Sequence, residues 1–244
     1  MANKCCETCG RSEGDATKLL QCSICHKSYC SRDCQAKDFA AHKPACKEHG
    51  VRELLQAISD NDAAKVRRLA KTKYVLNGKV DYKISYEVRG KESRRENLEQ
   101  WTAFHQCIRE GKCDLLRILC AAPGGKLDMK DGDGETPLFV ASQNGDVNLL
   151  KVLIEAGANV NPVAKDGWTA LMMAARDGHY ESAELLLKAG ANLYLGRDMF
   201  GRTCIDILTC MASGEMGMSM YEWETEEESL ARHRRMLSLL KRYA

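Results

Sequence analysis

Eight of the thirteen cysteines in this 244-residue chain lie within residues 1–46, and that clustering limits the fold more than any other feature. In order, the potential ligands read Cys6-x2-Cys9, then Cys22-x2-Cys25-x4-Cys30-x3-Cys34-x7-His42-x3-Cys46. Short C-x2-C pairs behind a polar N-terminus read as thiolate metal ligands in a reducing compartment, not as a disulfide framework. Zn²⁺ in a structural site is tetrahedral and closed, so these eight soft donors fill two ions and leave no open position for a catalytic water. The segment also needs the metal. After Met1, residues 1–50 hold five large apolar side chains, Leu19, Leu20, Ile24, Tyr29 and Phe39, too few for a core. Structural zinc supplies roughly 10–16 kcal/mol, enough to offset an ordering cost of about 1–2 kcal/mol per residue over the few dozen residues it ties down. Cys5 is left over, with a Cys5-x3-Cys9 knuckle as the alternative first pair, and His26 and His49 read as solvated side chains.

The full spacing, with Tyr29-Cys30-Ser31-Arg32-Asp33-Cys34-Gln35 and the closing His42-Lys43-Pro44-Ala45-Cys46, resembles the MYND zinc finger. The resemblance implies interleaved sites, Cys6, Cys9, Cys30 and Cys34 on one ion and Cys22, Cys25, His42 and Cys46 on the other. It also implies docking of short proline-containing peptides in a groove lined by a Gln just after the sixth ligand and a Trp four residues later. Those positions are Gln35 and Phe39 here. Phe39 keeps an apolar ring and lacks the indole N–H donor, which puts the docking in doubt and leaves simple packing of Phe39 as the other reading.

A second pattern fills the rest of the chain. Residues 133–165 laid over 166–198 give 11 identities in 33 positions without a gap. Shared landmarks are Asp-Gly-x-Thr at 133–136 and 166–169, Gly145 and Gly178, and Gly-Ala-Asn at 157–159 and 190–192. Thr136 and Thr169 stand where a hydroxyl caps a first helix, Ala141 and Ala174 let two helices approach, and Gly157 and Gly190 suit a left-handed turn after the second helix. This 33-residue period resembles ankyrin repeats. It extends with decay to Trp101–His105 and to Asp198–Thr203, both shifted by 34, and to a capping helix pair over 51–70. Phe139 and Met172 replace the histidine of the family's Thr-Pro-Leu-His box, and His105 keeps it.

The expected fold is therefore mostly α: a two-zinc finger over 1–50, then a solenoid of about five helix-turn-helix units over 51–244, near 51–97, 98–130, 131–163, 164–197 and 198–244. Insertions are expected at 71–99 and 211–229. The first carries the alternation Val80-Asp-Tyr-Lys-Ile-Ser-Tyr-Glu-Val88, which predicts a strand or hairpin leaving the solenoid. The second holds four Met, six Glu and no basic residue, which predicts an acidic loop before a last helix over 230–243. Ankyrin arrays bind through hairpin tips and the outer side of each first helix. By frame that surface includes Trp101, Trp168, Arg176, Asp177 and Phe200, of which Trp101, Trp168, Arg176 and Phe200 are the expected protein-binding residues, against a scaffold role for the two Trp.

Charge and motif content narrow the function. Thirty-six Lys plus Arg against 34 Asp plus Glu make no phosphate-seeking field. Residues 1–50 carry eight basic and six acidic side chains, and seven thiolates with two Zn²⁺ bring the loaded finger to about −1. No metalloprotease, P-loop or nucleophile-elbow pattern occurs, and Asp131-Gly-Asp-Gly lacks the twelfth-position Glu of a calcium loop. No apolar run reaches membrane-span length. Cys107, Cys113, Cys120, Cys204 and Cys210 read as packing residues. The expectation is a non-enzymatic, two-zinc adaptor that binds proteins, with no small-molecule substrate and no membrane, cytoplasmic with nuclear entry left open. The rival is a transcriptional regulator meeting nucleic acid through the finger or through Arg89, Lys91, Arg94 and Arg95.

Overall fold

The computed structural model describes residues 20–21, 28–29, 48–88, 91–213 and 225–244. Two-residue strands β1 (Leu20–Gln21) and β2 (Ser28–Tyr29) pair antiparallel, Leu20 opposite Tyr29. The rest is mostly helical. Helices α1 (48–59) and α2 (Ala63–Ala70) form the first pair, and the single turn α3 (Lys73–Leu76) leads into a hairpin of β3 (Val80–Val88) and β4 (Lys91–Trp101). Four further pairs follow: α4 (Ala103–Arg109) with α5 (Cys113–Ala121), α6 (Pro137–Asn144) with α7 (Val147–Glu155), α8 (Ala170–Arg176) with α9 (Tyr180–Lys188), and α10 (Cys204–Ser213) with α11 (Glu226–Lys241).

Two layers result. First helices stack as α4 on α6, α6 on α8 and α8 on α10, and second helices as α2 on α5, α5 on α7 and α7 on α9. Burial in the inner layer is most complete in α8, Ala170 to Ala175 without exception, which is why that helix carries no polar stripe, whereas α10 leaves Asp206, Thr209 and Ser213 in water. Ala141 and Ala174 are fully buried at the close helix approaches, as their size requires. The outer helices are amphipathic; α7 buries Leu149, Leu150, Val152 and Leu153 and leaves Lys151 in water. Each such leucine contributes roughly 1.5–3 kcal/mol.

Local rules set the ends. The hydroxyls of Thr102, Thr136 and Thr169 accept from the backbone N–H groups of His105, Phe139 and Met172, capping α4, α6 and α8. Gly157 and Gly190 take φ of 87° and 89° after α7 and α9. The asparagines that follow make Asx turns, Asn159 Oδ1 accepting from Asn161 N–H at 2.9 Å and Asn192 Oδ1 from Tyr194 N–H at 2.8 Å. Adjacent units are then tied at the same loops. Asp128 Oδ1 accepts from Asn159 N–H at 2.9 Å, and Asn161 Oδ1 from Asn192 N–H at 2.8 Å.

The insertions depart from expectation in detail. The first is a hairpin as anticipated, but β4 runs on through Trp101 into the array. The second is shorter than 211–229: α10 continues to Ser213, and α11 begins at Glu226, not at 230. Thr225 and Glu228 form a reciprocal capping box there, Thr225 Oγ1 accepting from Glu228 N–H while Glu228 Oε2 accepts from Thr225 N–H at 3.0 Å. Residues 214–224 lie outside the described part.

Candidate protein-binding face

Three hairpin tips share one backbone design. A residue before each tip donates its N–H to the carbonyl four residues on: Asp131 to Glu135 at 2.9 Å, Ala164 to Trp168 at 2.9 Å, Asp198 to Arg202 at 3.1 Å. Glu135, Trp168 and Arg202 therefore stand at equivalent positions with different chemistry. Asp131 and Asp198 organise their tips identically. Asp131 Oδ1 accepts from Asp133 and Glu135 N–H, and Asp198 Oδ1 from Phe200 and Arg202 N–H, all at 2.9–3.0 Å.

The residue at the equivalent position decides the electrostatics. At the first tip, burial pushes the Asp131 carboxyl up, and it pushes Glu135 up to about 7, with Asp131, Asp133 and Asp166 adding to the effect on Glu135. At the last tip burial also acts on Asp198, but Arg202 outweighs it. Its Nε donates to Asp198 Oδ2 at 2.8 Å, and the carboxyl is held below its usual range.

Two aromatic–guanidinium–carboxylate stacks lie one unit apart. Arg176 donates to both oxygens of Asp177, at 2.7 and 3.3 Å, and its guanidinium lies 5.0 Å from the centroid of Trp168. Arg202, held by Asp198 at 2.7 Å, lies 4.7 Å from the Phe200 centroid. Phe200 is 72% exposed and Met199 85%, and Trp168 is half-buried. Each guanidinium is fixed by a carboxylate and covers one face of a ring, so the face is ordered before anything binds.

The C-terminal helix supports this surface from behind. His179 Nε2 meets the Gln143 carbonyl, the end of α6, at 3.0 Å. Arg176 is the equivalent of Gln143, and its carbonyl meets His233 Nε2 of α11 at 3.2 Å, while Arg232 Nη1 donates to the Asp177 carbonyl at 2.8 Å. Arg232 is thus half-buried, and Ser229 and His233 are buried, as are Met236, Leu239 and Leu240 of the same helix.

Of the expected protein-binding residues, Trp168, Arg176 and Phe200 come together and Trp101 does not. Trp101 is 5% exposed, and its Nε1 donates to Gln106 Oε1 at 2.8 Å. The reason is the hairpin: Trp101 ends β4 opposite Val80, so the chain enters α4 from a strand instead of from a free tip. Asp177, also placed on the open surface by frame, is buried beneath Arg176. Tyr194, 60% exposed, was not anticipated, because its repeat equivalent is Asn161 and the pattern offers no signal there. An apolar groove between α2 and α5, rimmed by Arg67, Lys71 and Arg117, was also unforeseen.

The expected ligands Cys6, Cys9, Cys22, Cys25, Cys30, Cys34, His42 and Cys46, with Gln35 and Phe39, lie outside the described residues. Their donor set, seven thiolates and one imidazole, suits Zn²⁺. Among the described residues no cluster of three His, Cys, Asp or Glu side chains could hold a metal, and no helix is long and apolar enough to cross a membrane. Burial pushes the Cys107 thiol up and the Cys204 thiol to about 12, which keeps both protonated in the core.

Comparison with known proteins agrees with this architecture. The MYND finger family model matches residues 6–46, and that of ankyrin repeats, in three copies, matches 104–196. A probable E3 ubiquitin-protein ligase XBOS34 from Oryza sativa subsp. japonica is 47% identical over 58 residues, 23% of this chain and 11% of that protein. The ankyrin repeat-containing protein P1E11.10 of Schizosaccharomyces pombe is 34% identical over 67 residues, 28% of this chain and 32% of that protein. The matched stretches thus span a third or less of these relatives' lengths. MYND fingers bind zinc, and both modules serve protein–protein interaction. On matched families, repeat geometry and stacked helix pairs together, this chain is a MYND zinc finger followed by an ankyrin-repeat array.

Proposed function

We propose that the chain is an adaptor in which the finger docks a short proline-containing peptide near Gln35 and Phe39 while the tip face at Trp168, Arg176 and Phe200 holds a second protein. The observation that carries the reading is the pair of ordered aromatic–guanidinium stacks on successive units. Exposed aromatics with fixed Arg neighbours are the composition of binding hot spots, where truncating one residue costs about 2 kcal/mol or more. Both guanidinium charges are already neutralised by Asp177 and Asp198, which favours an apolar or aromatic partner segment over an acidic one. Two weak sites in one chain gain effective concentration for a bridged pair. The finger holds two zinc ions, and the protein is read as non-enzymatic and cytoplasmic. The ligase activity in the rice relative's name is not carried over from a stretch covering 11% of that protein.

The test is affinity purification of the intact chain from its native cells, beside Phe39→Ala and the paired Trp168→Ala and Phe200→Ala change. The adaptor reading expects one set of partners to vanish with Phe39→Ala and a different set with the tip pair. An unchanged partner set in both variants refutes it. Steep loss of all partners with added salt or nuclease would assign the chain to nucleic acid instead.

A further inference from the structure

Strands β3 and β4 form a two-stranded sheet, so among the described residues each has an outer edge with no ladder partner. A two-stranded ribbon alone is marginal in water. The two edges differ. From Val80 to Tyr82 the facing strand runs from Trp101 to Leu98, and from Ser85 to Glu87 it runs from Arg95 to Glu92. Both extra residues therefore lie on β4, and Gln100, with φ of 53°, sits at the first of them. Bulges twist a strand and interrupt its edge. By contrast β3 is nine residues of regular strand without bulge or proline.

Its sequence specifies what can pair there. The two-residue period puts Val80, Tyr82, Ile84, Tyr86 and Val88 at positions of one face and Asp81, Lys83, Ser85 and Glu87 at positions of the other. Two copies of β3 related by a two-fold axis pair antiparallel, and only a register centred on a residue sets apolar positions opposite apolar ones. Centred on Ile84, Asp81 opposes Glu87 twice, a like-charge clash; centred on Lys83, that lysine opposes itself. Centred on Ser85, Lys83 opposes Glu87 twice, Ile84 opposes Tyr86 twice and Tyr82 opposes Val88 twice.

We infer that β3 pairs with β3 of a second copy about a two-fold axis at Ser85, joining two hairpins into one four-stranded sheet across a homodimer. The interface is isologous and closes on itself. Each hairpin tip lies beside the other's base, which separates the two Val80 positions by about 33 Å along the ribbon and leaves room for both arrays.

Charge reversal tests this on the intact chain, by sedimentation velocity over a concentration series. Within each hairpin Lys83 faces Asn97 and Glu87 faces Glu92, so neither reversal sets like charges across β3 and β4. Wild type is expected to dimerise. K83E and E87K should each weaken the dimer about tenfold or more, because each sets two like-charge pairs across the axis. The double variant K83E/E87K should restore it, and an equimolar mixture of the two single variants should form a heterodimer. Circular dichroism keeps the helical content in view. A monomeric wild type overturns the proposal, as do single variants that dimerise like wild type or a double variant that fails to recover.

Discussion

His105 should make this array sensitive to acid, and the array contains its own control. The ring is fully buried, with Nδ1 2.7 Å from Thr102 Oγ1 and Nε2 3.3 Å from the Glu135 carbonyl. A carbonyl can only accept, so Nε2 carries the proton and Nδ1 accepts from the Thr102 hydroxyl. Burial pushes the ring down from 6.5 to about 4, partly offset by its bond to Glu135 and reinforced by Lys79. With the folded value depressed, stability is fully present above pH 6.5 and is lost as pH falls through 4. The loss reaches about 2.5 kcal/mol by pH 4.5. Phe139 and Met172 fill the equivalent site in the next two units and are 1% exposed, so His105→Met should pack. It forfeits a hydrogen bond worth about 1 kcal/mol at neutral pH. Wild type should therefore be the more stable protein at pH 7 and the less stable one at pH 4.5. Urea titrations of both, followed by far-UV circular dichroism, test the crossing, and zinc loss from the finger cancels in the difference. A gap between the two that stays constant with pH would show that the ring titrates as a solvated imidazole.

Glu135 gives the opposite sign. With its folded value raised to about 7, its contribution is present below 4.5 and lost as pH rises through 7, so Glu135→Gln should stabilise the array at pH 8 and not at pH 4. The gain is about 1 kcal/mol after allowance for solvent screening of a carboxyl only partly buried, and thermal melts at the two pH values measure it. A Cβ on Gly167, whose φ is 86°, would lie 2.0 Å from the Arg197 carbonyl oxygen, so Gly167→Ala should cost about 3 kcal/mol. Gly157→Ala, at a similar φ with open space around it, should cost about 1 kcal/mol, and equal losses in the two would show that the contact between units is not tight. Elemental analysis should return two zinc ions per chain, and one ion or none refutes the eight-ligand assignment; Cys30→Ser should unfold residues 1–50 while the repeats keep their helical signal, and collapse of the whole chain refutes the module boundary.

Repetition made the array legible because it writes each rule several times. Thr at 102, 136 and 169 and Gly at 157 and 190 each reappear in register, so a cap or a turn could be read by comparison. What repetition does not encode is what an insertion does to its neighbour. Trp101 and Trp168 hold equivalent frame positions, yet β4 delivers Trp101 into the core and leaves Trp168 half-buried beside Arg176. The start of α11 failed for a different reason. Thr225-x2-Glu228 is a capping box visible in the sequence, but it sits in a Met- and Glu-rich stretch whose composition argued for a loop. Local capping chemistry outweighed composition. The expected zinc ligands lie outside the described residues, and for them spacing alone carries the reading, with the family match supporting zinc.

Those cases explain where recognition can arise on such a scaffold. Backbone geometry is nearly constant from tip to tip, down to the hydrogen bond from Asp131, Ala164 and Asp198. Specificity must therefore come from the residue each unit places on that frame. Glu135 brings a carboxyl pushed up by burial and then by three other acids, Trp168 an aromatic plane under Arg176, and Arg202 a cation fixed on Asp198 and Phe200. The Trp168 stack is supported on its far side by the unit that follows it. That support comes from α11. His233 and Arg232 bond the carbonyls of Arg176 and Asp177 much as His179 of the following unit bonds Gln143. Helix α11 of the fifth unit thus holds the backbone behind the Trp168–Arg176 stack of the fourth, on the candidate face.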